Sequence, residues 1–114
     1  MESILTSIKK KLGLGADYTP FDPDIIIAIN AAFSVLTQLG VGPEKGFFIC
    51  GPSETWSSYL GDRDDLEFIK EYVYLKVRYM FDPPAGSVLS AMNELIKEYE
   101  WRINVAVDPS KQQN

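Results

Sequence analysis

The strongest constraint on this sequence is a pair of long apolar-striped segments, residues 66–81 and 87–105, which are separated by two consecutive prolines. Helical spacing gives the first segment two apolar stripes instead of one. One stripe contains Leu66, Ile69, Val73, Val77 and Met80, and the other contains Phe68, Tyr72, Leu75 and Tyr79. A helix that is apolar on two sides must be covered on two sides. In a chain of 114 residues, we expect another copy or another protein to supply part of that cover.

The N-terminal half predicts two helices. The first covers residues 3–12, with Ser3 as its N-cap, and its last turn (Lys9, Lys10 and Lys11) is interpreted as a solvated helix end. The second is capped by Asp22 and ends near Gln38. Its main stripe is Ile25, Ile29, Phe33 and Leu36, and Ile26, Ile27 and Val35 extend the apolar surface almost all round. β-Branched isoleucines also suit strands, but the length and the caps favour a central helix.

The C-terminal half predicts two more helices. Asp62 or Asp64 caps the third, which the prolines end near Phe81, and Ser87 caps the fourth, which runs to about residue 105. The inner face of the fourth is predicted to be Val88, Met92, Leu95, Tyr99 and Ile103. The predicted fold class is therefore mainly α, a small bundle of three long helices with a short N-terminal helix and a long loop. We expect one domain over residues 1–107 and a polar tail over residues 108–114.

The loop over residues 40–61 is rich in glycine, proline and aromatic residues. Phe-Phe-Ile-Cys at residues 47–50 predicts a short extended segment, and residues 55–60 predict a single helical turn that carries Trp56 and Tyr59. Loops of this length within a compact domain are uncommon and often functional. On the helices, Tyr74 and Trp101 lie off the main stripes, which leaves open whether they belong to an interface or to a satellite of the core.

Composition excludes several functional classes. The chain contains no histidine, so Ser-His-Asp and Cys-His catalysis and histidine-containing zinc sites are excluded, and we expect no enzyme and no cofactor. A net charge of −5 disfavours sequence-specific duplex binding. The acidic run at residues 62–67 is interpreted as helix capping instead of a metal site. Cys50 is expected to be a small buried hydrophobe.

The sequence carries no recognisable targeting signal. No apolar run reaches the roughly 18 residues that a membrane-spanning helix requires. Residues 1–2 are not followed by the apolar run of a signal peptide. A single cysteine rules out an internal disulfide. Together these features predict a protein made in a reducing cytoplasm, without membrane association.

Three segments of the sequence resemble a known family. Tyr-Val-Tyr-Leu-Lys-Val-Arg at residues 72–78, Phe-Asp-Pro-Pro at residues 81–84 and Glu-Tyr-Glu-Trp-Arg-Ile-Asn at residues 98–104 resemble the small head–tail connector proteins of tailed bacteriophages and of prophages in Gram-positive bacteria. Residues 17–30 and 36–42 are similar to that group as well, so the resemblance covers nearly the whole chain. These motifs concern side-chain contacts and turns and carry no catalytic chemistry.

The resemblance implies a helical adaptor, or head-completion protein, at the neck of the virion. Such a protein forms a dodecameric ring under the portal protein, extends the DNA channel and offers a platform to the stopper or tail. DNA would then pass close to the protein without specific contacts. In such connectors the C-terminal part often contacts the portal, and loops contact neighbouring subunits or the next ring.

The resemblance maps loosely onto residues 104–114 and 42–61 and transfers no individual contact. Together with the off-stripe positions Trp101 and Tyr74, it leads to two sets of candidate contact residues. The portal-binding candidates are Trp101, Asn104, Val105, Val107, Asp108, Pro109 and Lys111. The candidates for contact with a neighbouring subunit or the next ring are Phe47, Phe48, Trp56, Tyr59 and Tyr74. Two alternative functions stay open: a stopper or tail-completion protein of the same channel, and a small helical regulatory module that binds a host protein.

Overall fold

The chain folds into five helices in the computed structural model, which describes residues 2–61 and 68–107. The helices are α1 (Ile4–Lys11), α2 (Asp22–Gln38), α3 (Trp56–Leu60), α4 (Ile69–Phe81) and α5 (Gly86–Val107). Helix α4 packs between α2 and α5, and α1 packs on α2. The mainly α prediction is confirmed. The predicted third-helix caps, the acidic run and Leu66 lie outside the described residues.

The two short helices begin side by side, and hydroxyl groups cap both of them. Ser3 Oγ accepts a hydrogen bond from the Thr6 amide at 3.2 Å, and Thr55 Oγ1 accepts one from the Ser58 amide at 3.1 Å. Ser3 and Thr55 also form an antiparallel β-bridge. These contacts confirm the predicted Ser3 cap and the predicted helical turn at residues 55–60, and they fasten the end of the long loop to the N-terminus.

Helix α2 is the centre of the core, as its stripe predicts. Its four main-stripe residues are completely buried, whereas Ile27 is 66% exposed. The expectation of apolar contacts almost all round α2 is therefore wrong at Ile27. On a helix with about 3.6 residues per turn, Ile27 lies nearly opposite Ile29, so it points away from the fully buried stripe of α2.

The α4–α5 hairpin also departs from its predicted inner face. Tyr72 and Val73 are buried, so both stripes of α4 do enter the core, but Met80 and Tyr79, at the ends of the two stripes, are exposed. On α5, Val88 and Leu95 are exposed although both were predicted to face inward, and the predicted face missed Ile96, which is buried. At this level of α5 the buried face is therefore centred on Ile96 instead of Leu95. Helical spacing alone permits either of these two adjacent residues to face the core.

A hydrogen bond fixes the two helices of this hairpin relative to each other. The Tyr72 hydroxyl donates to Glu100 Oε2 at 2.7 Å. Burial raises the pKa of the Tyr72 phenol, and the adjacent Glu100 carboxylate raises that pKa further. The phenol therefore stays protonated and keeps donating to the carboxylate.

Lys9 forms a buried ion pair that corrects two predictions. Its ammonium lies 2.9 Å from Asp22 Oδ1 and donates to the Ala16 carbonyl at 3.1 Å, and its side chain is 2% exposed. Lys9 is thus not part of a solvated helix end. Asp22 begins α2 but does not cap it, since Phe21 occupies the N-cap position without a side-chain hydrogen bond. The pair ties α1 and the connector at residues 12–21 to the start of α2.

We expect Lys9→Ala to lower the free energy of unfolding by about 1–3 kcal/mol, because it leaves Asp22 and the Ala16 carbonyl without the ammonium. The loss should stay below the ~3–5 kcal/mol of a fully buried pair, since the Asp22 side chain keeps 22% of its exposure. Urea denaturation measures the change. Lys10→Ala, at an exposed neighbour, is the control and should change stability by less than about 0.5 kcal/mol. Equal losses in both variants would contradict a structural role for the ion pair.

Candidate functional site

The long loop presents one aromatic ring to solvent on a fixed backbone. The side chain of Asn30 accepts from the Ile49 amide at 2.8 Å and donates to the Ile49 carbonyl at 3.0 Å. The Phe47 ring packs against Phe33 and Tyr59, with ring centroids 5.4 and 4.9 Å apart. Phe48, between these two anchors, is 67% exposed. Residues 46–49 contain no regular secondary structure. The backbone amide and carbonyl of Ile49 are thus paired by the Asn30 side chain and not by a neighbouring strand.

Trp56 and Tyr59 from the same loop belong to the core. Both are at least nine-tenths buried. Trp56 Nε1 donates to Ser7 Oγ at 2.8 Å. Tyr59 lies against Gly42, whose φ of +80° suits glycine and whose position would bring a Cβ within 2.6 Å of the Tyr59 ring. Burial raises the pKa of the Tyr59 phenol. These two candidates therefore offer little side-chain surface to a partner.

Tyr74 is half-buried between α1 and α4 and packs against the core. The Lys11 ammonium lies 5.0 Å from the centre of its ring and forms an ion pair with Glu71. Arg78 Nη1 lies 3.5 Å from its hydroxyl. Tyr74 thus occupies the position of a core satellite, which sequence periodicity had left open.

The candidate portal contacts on α5 differ in exposure. Trp101 is 58% exposed, whereas Asn104 and Val105 are half-buried. Val107 is half-buried too, and its Cγ1 lies so close to Gly40 that a Cβ there would approach it to 2.8 Å. Asp108, Pro109 and Lys111 lie outside the described residues. Among the described candidates, Trp101 is the one with a large free apolar surface.

An apolar groove that sequence reasoning missed lies where the start of α2 meets the end of α4. One cavity of about 400 Å³ is lined by Phe21, Asp24, Ile27, Ala28, Met80 and Phe81. An adjoining cavity of about 380 Å³ is lined by Leu12, Leu14, Phe21, Phe81 and Asp82. The Phe21 and Phe81 rings meet edge to face at 5.4 Å and belong to both cavities. We call the combined surface the Phe21–Phe81 groove.

The groove combines apolar walls with exposed carboxylates. Asp24 and Asp82 are its charged lining residues, and no lysine or arginine lines either cavity among the described residues. The excess apolar surface of α2 and α4 was visible in the sequence, but the sequence did not show that Ile27 and Met80 converge. That convergence depends on how α2 crosses α4.

Cys50 is exposed, so the prediction that it is a buried hydrophobe is wrong. Its amide donates to Glu54 Oε2 at 2.9 Å, which holds the residue at the surface of the loop. Within residues 2–61 and 68–107, no three acidic or cysteine side chains are grouped so that they could hold a metal ion. None of the helices in those ranges is long and apolar enough to cross a membrane.

Residues 4–110 match the family model for phage connector protein. The chain belongs to the phage connector family. Searches of curated proteins and of solved structures gave no match. The resemblance stated from the sequence is therefore confirmed at the level of the family.

A phage connector is a structural component of the virion and assembles with other virion proteins. Three exposed apolar features of this connector suit such contacts: Phe48 on the loop, the Phe21–Phe81 groove, and Trp101 on α5. Their exposed surfaces lie at the edge of the buried core and are available for such contacts. Exposed aromatic side chains in well-defined positions are typical anchors of protein interfaces.

We expect Asn30→Ala to release the loop that carries Phe48. Loss of both hydrogen bonds leaves the Ile49 backbone without its partner and should lower the free energy of unfolding by about 1–3 kcal/mol. Hydrogen exchange of the Ile49 amide should accelerate more than exchange within α4. Ser34→Ala, at an exposed position of the same helix, is the control. Unchanged protection of the Ile49 amide in Asn30→Ala would contradict the anchoring role.

Proposed function

We propose that the protein is a head–tail adaptor that docks under the portal ring, extends the DNA channel and provides the platform for the stopper or tail. The observation that carries this proposal is the exposure of large apolar side chains outside a completed core, in a chain of the phage connector family. Contiguous exposed apolar surface, as in the Phe21–Phe81 groove, is typical of an interaction site. Partners in the assembled neck would cover these side chains.

Trp101 is the proposed centre of the portal contact. It lies on the last third of α5, and its neighbours Glu98 and Arg102 form an exposed ion pair at 2.7 Å. An aromatic anchor surrounded by charged, solvated side chains is the usual arrangement at an interface hot spot. The half-buried residues that follow, Asn104 and Val105, continue this proposed surface toward the tail.

The proposed contact with DNA is passive. The net charge of −5 repels phosphates, so a ring of such subunits would let DNA slide without adhering. Two of the three consecutive lysines support this, because Lys9 is paired with Asp22 and Lys11 with Glu71. Their charges are largely neutralised within the fold.

We expect Trp101→Ala to weaken binding to isolated portal rings at least tenfold while changing the free energy of unfolding by less than about 0.5 kcal/mol, since the removed ring is mostly in solvent. Co-sedimentation with portal and urea denaturation measure the two effects. Glu94→Ala, an exposed change on the same helix, should alter neither. If Trp101→Ala unfolds the protein as much as it reduces binding, Trp101 belongs to the core and is not a portal contact.

We expect removal of residues 108–114 to leave a folded chain that no longer binds portal. Val107 and its contact with Gly40 remain in this variant, so the described core is untouched. Circular dichroism and co-sedimentation with portal check the two halves of the prediction. Full portal binding by the shortened chain would exclude the tail from the contact, and co-sedimentation of the intact chain with tail tubes instead of portal would favour a stopper.

A further inference from the structure

The exposed ring of Phe48 and the Phe21–Phe81 groove lie on opposite flanks of α2. The loop contacts α2 through Asn30 and Phe33, whereas Asp24 and Ala28 line the groove. At about 100° per residue, Asn30 and Phe33 point on average about 140° away from the mean direction of Asp24, Ile27 and Ala28 around the helix axis. Each copy of the chain therefore carries a projecting aromatic ring on one side and an apolar groove on the other.

We propose that the groove is filled by a second copy of this chain, with Phe48 of one copy inserted into the Phe21–Phe81 groove of the next. Because the two surfaces are different and lie on opposite flanks, the contact is heterologous and can repeat from copy to copy, and rotation can close it into a ring. This inference rests on the proposed adaptor function and identifies the residues that join neighbouring subunits.

The dimensions suit this contact. The groove cavity of about 400 Å³ that includes Ile27 and Met80 has room for a phenyl ring. Phe48 already projects into solvent, and Asn30 and the Phe47 anchor hold the loop backbone on either side of it. A preorganised side chain loses little conformational entropy on binding, which favours its use as an anchor.

Charge complementarity supports a copy of the chain as the occupant. Lys45 is exposed three residues before Phe48, and three residues of extended chain span at most about 10 Å. When Phe48 occupies the groove, the Lys45 ammonium therefore comes within reach of Asp24 or Asp82 at the groove wall. Opposite charges at the rim of an interface fix its register and disfavour wrong partners.

The native cysteine permits a direct test. Cys50 is exposed, is the sole cysteine of the chain and lies two residues after Phe48. Ile27→Cys places a second thiol in the groove at an exposed position. Treatment of the full chain with a short bismaleimide, alone and with isolated portal rings, should then give a ladder of covalent multimers on denaturing gels. The unmodified chain has one thiol per copy and gives dimers at most.

Lys97→Cys, at an exposed position on α5, is the matched control and should give no ladder. Phe48→Ala in the Ile27→Cys chain should reduce the ladder at least tenfold. Asp24→Lys and Lys45→Asp should each weaken multimer formation, and combining them should restore it, which loss of folding cannot imitate. Absence of a ladder both with and without portal, or an equal ladder from Lys97→Cys, overturns the inference.

The outcomes also separate this inference from the proposed function. Portal binding without the ladder leaves the adaptor function standing and shows that another surface joins the copies. A ladder that depends on Phe48, in a chain that does not bind portal, supports the contact and contradicts the adaptor function. In the Ile27→Cys chain, the introduced thiol reports on the groove. If portal protects this thiol from bismaleimide and a higher concentration of the chain does not, the portal occupies the groove, and a second copy is refuted as its occupant.

Discussion

The pair of hydrogen bonds between Asn30 and the Ile49 backbone determines how this chain covers its central helix. Helix α2 is apolar over most of its circumference, and α1 and α4 cover only part of it. A further flank is covered by the long loop, whose residues 46–49 lack regular secondary structure, and their backbone groups need partners once water is excluded. Asn30 provides one donor and one acceptor on the same side chain. A polar residue within an apolar helix thus permits irregular backbone to pack on it.

Fixing the loop at Ile49 also separates the roles of two adjacent phenylalanines. Phe47 turns inward and joins the aromatic cluster with Phe33, and Phe48 turns outward. Phe47 is half-buried and Ile49 is buried, whereas Phe48 between them is exposed, an alternation that is typical of extended chain. The exposure of Phe48 therefore follows from the way in which the core is completed, and a partner surface can use it at little additional conformational cost.

The sequence predicted those features that depend on local interactions. The Ser3 cap and the buried stripe of α2 are examples, because each is encoded within a few residues. Prediction from the sequence failed where the contacting residue is distant in the chain, and where helical spacing allowed either of two faces to be buried. Lys9 forms its ion pair with Asp22, which lies thirteen positions later in the sequence, and the connector between them brings the two side chains together only in the folded state. The groove was missed for the same reason, since its walls come from helices far apart in sequence.

The distribution of exposed apolar residues also bears on the class of function. Phe48 and the groove lie on opposite flanks of α2, and Trp101 lies on a different helix, α5. Phe68, one residue before α4, stacks on Tyr99 of α5, so the nearby Trp101 lies close to the start of α4. The groove lies at the other end of α4, and a helix of 13 residues is about 20 Å long. Trp101 is therefore about 20 Å from the groove. Exposed apolar surfaces on separate sides leave room for several contacts at once, which suits a chain whose family assembles with other virion proteins.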